Sequence, residues 1–186
     1  MKTETPTRIN GIDRDELAAV IGAVQDDPSL GQVGFRVKTA WKGGTRSEAR
    51  VEDWTFGGET LPRDYTIAAD EPKEVLGGAS APNPQELLMA ALNACMMVGY
   101  VALSTVQGIE LENLEIETTG GLDLQGFLGL DESVPPGTPE IHYTVRIRGN
   151  GTPEQFEEIH QMVQATSPNF WNLTQPVKLV PTLDVQ

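Results

Sequence analysis

The sequence predicts an α+β fold in which antiparallel strands surround one long central helix. Residues 83–107 form the helix, and between Leu87 and Leu103 its side chains are almost all apolar, which leaves no polar face. Residues 33–41, 46–52 and 141–148 instead alternate apolar and polar side chains, which is the period of half-buried strands. Helical patterns near both ends of the chain complete the α+β assignment.

The central helix has a well-marked start. Asn83 can cap it, Pro84 suits the first helical position, and Glu86 places a carboxylate in the positive first turn. Its length would also suit a membrane span, but Asn93 lies near its middle and no Lys or Arg flanks it. We therefore interpret it as a core helix. Because its whole circumference is apolar in a chain of 186 residues, we expect a homodimer to cover it.

The remaining elements of the first half are predicted from period and turn residues. An amphipathic pattern indicates a helix beginning near Asp13 and ended by Pro28 and Gly31. Two strands joined by Gly43-Gly44 form a hairpin. A third short strand at 64–69 and a Pro- and Gly-rich loop at 71–82 follow.

The second half continues with strands and one more helix. We expect a strand at 111–118 paired with a second at 121–124, then an irregular stretch at 126–139. The clearest strand is 141–148, and Thr152 and Pro153 then begin a helix that ends near Ser167. A short aromatic turn leads to a last strand at 177–185, where Pro181 implies an edge or a bulge.

The composition argues against two classes of binding partner and favours one cellular setting. The formal net charge of −14 argues against nucleic-acid and anionic-membrane partners, since both require clustered Lys and Arg. The polar first residues and the single cysteine, Cys95, favour a cytoplasmic, reducing setting. No Lys or Arg lies between Lys73 and Arg146. A cation near Cys95 must therefore come from elsewhere in the chain or from another subunit.

Alternatives to a reactive Cys95 remain open at this point. Most free cysteines in cores are only small buried apolar residues. A nucleophile pair with His142 or His160 would indicate a hydrolase or acyl-transfer enzyme, but His142 faces outward and His160 lies at a helix edge. The cysteine and the two histidines show no close ligand spacing, so we expect neither a metal nor another cofactor.

Several segments carry a family resemblance. NPQELLMAALNAC, together with VKTAWKGGTRSEARV, GGASAPNPQELL and TSPNFWNLTQPV, resembles the OsmC/Ohr superfamily of stress-linked thiol peroxidases. The resemblance begins near Gly34, so we expect an OsmC-like domain at 33–186 and an N-terminal helical extension at 1–32. It implies an intertwined homodimer in which two central helices pack between sheets contributed by both chains.

The resemblance also implies a chemistry. Cys95 would attack a small-molecule hydroperoxide, and Arg46, often supplied by the partner chain in this superfamily, would hold the thiolate. The glutamate that typically pairs with that arginine is replaced by Gln85, with Glu86 beside it. Ser167 stands where a second, resolving cysteine normally precedes a proline. An external thiol reductant would then be required.

The same departures leave room for a function without turnover. An OsmC-like protein that lacks the second cysteine could bind a small apolar or peroxide-derived ligand at the dimer seam, or act as a stress protein. Cys95 and Arg46 favour peroxide reduction, whereas Gln85 and Ser167 favour the binding function.

Overall fold

The computed structural model describes residues 8–185 and divides between Ala90 and Ala91 into two compact units. The first unit contains β1 (Arg8–Ile9), β2 (Ile12–Asp13), α1 (Arg14–Asp26), β3 (Val33–Phe35), β4 (Lys38–Trp41), β5 (Ser47–Phe56) and β6 (Glu59–Ala69). Helix α2 (Pro84–Val106) begins in the first unit and continues into the second. The second unit adds β7 (Leu111–Gly120), α3 (Leu124–Phe127), β8 (Ile141–Gly149), α4 (Pro153–Thr166) and α5 (Pro168–Thr174).

Strand β5 organises the antiparallel sheet of the first unit by pairing with β3, β4 and β6. The single strand expected over 33–41 is divided into β3 and β4. The gap between β3 and β4 lies opposite residues 51–53 of β5. At the same residues the pairing of β5 with β6 shifts register between Val51 and Asp53, which marks a bulge that interrupts the ladder of hydrogen bonds. The predicted hairpin turn at Gly43-Gly44 is confirmed, with φ of 98° and 57°.

Strand β6 is longer than the short strand expected at 64–69. It begins at Glu59 because Gly57 and Gly58 adopt φ of 54° and 84°, a left-handed pair that makes a two-residue hairpin turn from β5. The sequence carries this signal as a Gly-Gly pair after an alternating strand. A turn assignment there would have predicted the full strand.

The predicted starts of the first two helices are confirmed. The Asp13 carboxylate accepts hydrogen bonds from the backbone N–H groups of Asp15 and Glu16 and so caps α1. Asn83 and Glu86 form a reciprocal cap at the start of α2, each side chain accepting from the other residue's backbone N–H at 2.8 Å. By length and mean hydropathy of 1.8, α2 could also cross a membrane, a property that core helices of soluble proteins share.

The core of the second unit lies between one sheet and two helices. Strands β7 and β8 pair along their whole length. Their apolar face packs on α2 and α4. The buried apolar side chains of this core are Leu92, Met96, Tyr100, Ile109, Ile159 and Val163. The predicted strand at 141–148 and the predicted α4 are both confirmed, and Thr152 caps α4 in a capping box with Gln155.

Two local expectations for the second unit are wrong. The strand expected at Gly121–Leu124 does not form, because the Asp123 carboxylate accepts from the Gln125 N–H at 2.8 Å and starts α3. Strand β7 pairs with β8 instead. The aromatic turn expected after Ser167 is the helix α5, which has Ser167 as its cap and Pro168 at its first position.

The last strand expected, at 177–185, is absent from the described chain, which has no strand after α5. Pro176 and Pro181 lack the N–H that a ladder requires. Several side chains of this segment are strongly exposed, including Leu179 at 85% and Leu183 at 87%. The expected division into an extension at 1–32 and a domain at 33–186 stays a prediction, and residues 1–7 and 186 lie outside the described part.

Candidate functional site

Cys95 lies half-buried on α2 and has a polar neighbour. The Ser167 hydroxyl donates a hydrogen bond to the Cys95 sulfur, with Oγ and Sγ 3.4 Å apart. Ser167 is only 5% exposed. Both residues belong to the second unit, so the structure brings together two of the residues that the sequence singles out.

The position of the Ser167 hydroxyl is fixed by two helix ends. Its backbone N–H donates to the Val163 carbonyl at 2.9 Å and closes α4, while its Oγ accepts from the Phe170 N–H at 3.4 Å and begins α5. The Asn169 side chain donates to the Ala91 carbonyl at 2.9 Å, which ties α5 to α2. Ser167 therefore contacts Cys95 from the junction of α4 and α5, where hydrogen bonds hold its backbone and its hydroxyl.

A close approach between α2 and α4 supports this contact. A Cβ added at Gly99 would lie 3.2 Å from Val163 Cγ2, which is tighter than an ordinary contact. Beyond Gly99, the Tyr100 hydroxyl hydrogen-bonds His160 Nδ1, and the other ring nitrogen of His160 lies 3.0 Å from Gln164 Nε2. Desolvation by burial raises the pKa of the Tyr100 phenol well above its usual range, so the hydroxyl keeps its proton.

Sequence reasoning missed this helix pairing. Its only signals were a glycine inside an apolar helix, which often marks close packing, and His160 at the edge of the α4 stripe. Neither signal shows, without the fold, that α2 and α4 pack against each other.

The second unit contains three Lys or Arg residues, Arg146, Arg148 and Lys178, and the two arginines are paired with glutamates. Arg146 contacts Glu115 at 2.9 Å and Glu117 at 2.8 Å, and Arg148 contacts Glu112 at 2.8 Å. The hydrogen bond that Arg146 donates to Glu117, with a further contribution from the one that it donates to Glu115, raises the pKa of Arg146. Both arginines are thus engaged on the exposed face of the β7–β8 sheet.

Arg46, Gln85 and Glu86 belong to the first unit. Arg46 is exposed on the turn before β5, where its N–H donates to the Gly43 carbonyl at 3.1 Å and its carbonyl accepts from the Lys42 N–H at 2.9 Å. Gln85 and Glu86 lie exposed in the first turn of α2. The Glu86 carboxylate accepts from the Asn83 N–H, so it serves the helix cap.

The histidines have partners of their own. His142 is exposed on β8 and contacts Glu140 at 2.9 Å, while His160 is engaged by Tyr100 and Gln164. A Cys–His nucleophile pair gains no support from these contacts. Within residues 8–185, no group of three or more His, Cys, Asp or Glu side chains is placed to hold a metal ion.

A sequence model of the family described as OsmC-like protein matches residues 77–181, more than half of the chain. The chain belongs to the OsmC-like family. The matched residues include Cys95 and Ser167, whereas Arg46 precedes them. A comparison with curated proteins finds no match.

Solved structures of OsmC-like proteins share this fold. An OsmC-like protein from Mycoplasma pneumoniae is 16% identical, with 75% of this chain and 86% of that chain covered and a TM-score of 0.59. A putative osmotic stress induced and detoxification response protein from Psychrobacter arcticus is 18% identical, with 72% and 84% covered and a TM-score of 0.56. An OsmC-like protein of unknown function from Vibrio cholerae is 17% identical, with 73% and 90% covered and a TM-score of 0.50. At these identities the likeness shows the fold alone.

Proposed function

We propose that this OsmC-like protein reduces organic hydroperoxides with Cys95 and is regenerated by an external thiol. The observation that carries the proposal is the hydrogen bond from Ser167 to the Cys95 sulfur. It places a proton donor, held by two helix ends, against a half-buried sulfur on the central helix. Cysteine reactivity depends on the thiolate, which such a donor stabilises.

The first step is oxidation of the sulfur. The Cys95 thiolate attacks the terminal oxygen of the hydroperoxide, an S–O bond forms, and the O–O bond breaks. The alkoxide leaves with its electron pair, takes a proton from solvent and departs as the alcohol. The sulfur is oxidised by two electrons to a sulfenic acid, and the hydroperoxide is reduced.

The second step requires a thiol from outside, because the Ser167 hydroxyl cannot form a disulfide. The thiolate of that reductant attacks the sulfenic sulfur, an S–S bond forms and the S–O bond breaks, and the hydroxide takes a proton from solvent and leaves as water, which gives a mixed disulfide. A second thiolate then attacks the reductant's sulfur and releases Cys95 as a thiolate. The reductant leaves as its disulfide, so the electrons balance over one cycle.

Arg46 is our candidate for the cation that holds the thiolate, supplied by a second copy of the chain. Three facts support the assignment. No Lys or Arg lies between Lys73 and Arg146, the two arginines of the second unit are engaged by glutamates, and Arg46 stands on an exposed turn. An opposite charge within about 4–6 Å favours the charged form of a titrating group by roughly tenfold or more.

Steady-state turnover tests this function. The protein with an excess of dithiothreitol should consume cumene hydroperoxide at a rate proportional to enzyme concentration, and Cys95→Ser should abolish the enzyme-dependent rate. A rate no faster than that of the reductant alone would argue against peroxide reduction.

A binding function is the second candidate, and one observation favours it. A cleft of about 580 Å³ opens in the second unit beside α4 and β8. Its lining combines rings and apolar side chains with hydrogen-bonding groups: Tyr100, Tyr143, Val145, Phe156, His160 and Gln164. No Lys or Arg belongs to the lining, and Glu157 does. This chemistry suits a neutral, largely apolar ligand with one polar group.

Cumyl alcohol, the product of cumene hydroperoxide reduction, is a suitable probe. If binding is the function, NMR titration should show saturable shifts in the wild type and in Cys95→Ser. Filling the cleft with Val145→Trp should weaken them. Shifts that do not saturate would remove this candidate.

A further inference from the structure

A buried carboxylate, that of Asp70 at 3% exposure, lies at the end of β6 and collects five hydrogen bonds. Oδ1 accepts from Thr45 Oγ1 at 2.7 Å, from the Glu71 N–H at 2.9 Å and from the Gly78 N–H at 3.3 Å. Oδ2 accepts from the Ser80 hydroxyl at 2.7 Å and from its N–H at 3.1 Å. The hydrogen bonds from Thr45 and Ser80 lower the pKa of Asp70 well below its usual range.

All five donors are neutral. A buried anion is costly unless it is well hydrogen-bonded, and a bond to a charged acceptor is roughly twice as strong as a neutral one. An ionised Asp70 therefore holds its donors more firmly than a neutral group of the same shape would.

The Asp70 cluster, formed by Asp70 with Thr45, Gly78 and Ser80, joins three segments of the first unit. Thr45 belongs to the turn between β4 and β5, Asp70 directly follows β6, and Gly78 and Ser80 lie in the loop that precedes α2. The loop fits this arrangement only with glycine, because a Cβ at Gly78 would lie 2.7 Å from Asp70 Oδ2. A Cβ at Gly77 would lie 1.7 Å from the Glu71 carbonyl oxygen. The carboxylate is thus held rigidly on the loop side.

The other side of the cluster reaches the turn that carries Arg46. Thr45 is the only residue of the Lys42–Arg46 turn that donates to Asp70 among these five bonds, and Arg46 follows it directly. The turn contains two glycines with positive φ, and within it the Lys42 N–H donates to the Arg46 carbonyl and the Arg46 N–H donates to the Gly43 carbonyl. The bond from Thr45 adds a side-chain tie between this turn and Asp70.

We infer that Asp70, acting through the Thr45 hydroxyl, is a positioning residue that holds the Arg46 turn in the conformation used to stabilise the Cys95 thiolate. The inference rests on the proposed role of Arg46. By this inference the Asp70 cluster affects the reactivity of Cys95 as well as the stability of the fold.

The test compares conservative variants by the rate at which iodoacetamide alkylates Cys95 at neutral pH. Arg46→Ala should slow alkylation roughly tenfold or more. Thr45→Val removes the hydroxyl at nearly constant shape and should slow alkylation by part of that factor, while Thr45→Ser should restore the wild-type rate. The double variant Thr45→Val/Arg46→Ala should react no more slowly than Arg46→Ala alone, because Thr45 acts through Arg46.

The outcomes separate the two claims. An unchanged rate in Arg46→Ala would overturn both the role of Arg46 and this inference. A slow Arg46→Ala with a wild-type rate in Thr45→Val, or effects of the two substitutions that multiply in the double variant, would overturn the inference alone. Asp70→Asn provides a second variant, for which we expect slowing in the same direction as Thr45→Val.

Discussion

At the scale of single residues, the central observation is the contact of Ser167 with Cys95. The sequence names both residues as candidates, but the 3.4 Å distance depends on how α4 and α5 pack on α2. Seventy-two positions separate the two residues in the chain. No local pattern encodes a contact of that range; only the family resemblance, which puts Ser167 at the position of the resolving cysteine, indicated that the two residues lie close together.

Ser167→Cys should convert the site to two-cysteine chemistry. After one equivalent of cumene hydroperoxide, the introduced thiol should attack the Cys95 sulfenic acid and form a disulfide, because only a small side-chain shift separates 3.4 Å from a bond of about 2.05 Å. Intact mass and thiol counting measure the product. Ser133→Cys, in an exposed loop, is the control and should form no such bond. A sulfenic acid that persists beside a free introduced thiol would contradict the placement of Ser167.

The buried carboxylate of Asp70 should make the stability of the fold sensitive to acid. A carboxyl group whose pKa is lowered in the folded state stabilises the fold above its unfolded-state pKa, and this contribution is lost as the pH falls below about 3.8. Urea unfolding at a series of acidic pH values should therefore show a shallower pH dependence for Asp70→Asn than for the wild type. Asp27→Asn, at an exposed carboxylate, should change the slope less. Equal slopes for Asp70→Asn and the wild type would contradict the assignment.

At the scale of elements, prediction succeeded where a cap and a period agreed. The capped starts of α2 and α4 and the strict alternation of β8 were all predicted from the sequence. Prediction failed where the formation of a strand depends on which other strand it pairs with. Residues 121–124 have the composition of a strand, yet β7 pairs with β8 and leaves them without a partner strand. The alternating segment after residue 176 likewise forms no strand, although its pattern is that of one.

The pairing of α2 with α4 predicts unequal effects for two helix glycines. Gly22→Ala on α1, where a Cβ meets nothing within 4 Å, should raise the free energy of unfolding by about 0.5–1 kcal/mol. Gly99→Ala should lose this gain because its Cβ presses on Val163, and it should also slow Cys95 alkylation by displacing Ser167.

Chemical denaturation and iodoacetamide kinetics measure both effects. Adding Val163→Ala to Gly99→Ala should recover part of the alkylation rate, since it makes room for the new methyl group. Identical behaviour of Gly99→Ala and Gly22→Ala would show that the close approach does not position the site.

At the scale of the whole molecule, membership in the OsmC-like family and the α+β fold agree with the sequence prediction. The apolar circumference of α2 motivated the proposed homodimer. Within the described chain, Val98 on this helix is 70% exposed, and the apolar side chains after residue 176 are exposed as well. Exposed apolar side chains are typical of protein–protein contacts where they form a patch.

We therefore predict a homodimer in solution, measured by sedimentation at micromolar concentration. Val98→Asp should shift the population toward monomer, because it places a charge on an apolar surface that the dimer would bury. Glu158→Asp, on the exposed side of α4, is the matched control and should leave the association unchanged. A clean monomer for the wild type would contradict the prediction.

The measurement that tests the central claim most directly is the oxidation of Cys95 by one equivalent of cumene hydroperoxide. We predict a rapid mass gain of one oxygen atom and capture by a sulfenate trap, both absent in Cys95→Ser. A Cys95 thiol that reacts no faster than free cysteine would contradict peroxide reduction as the function of this protein.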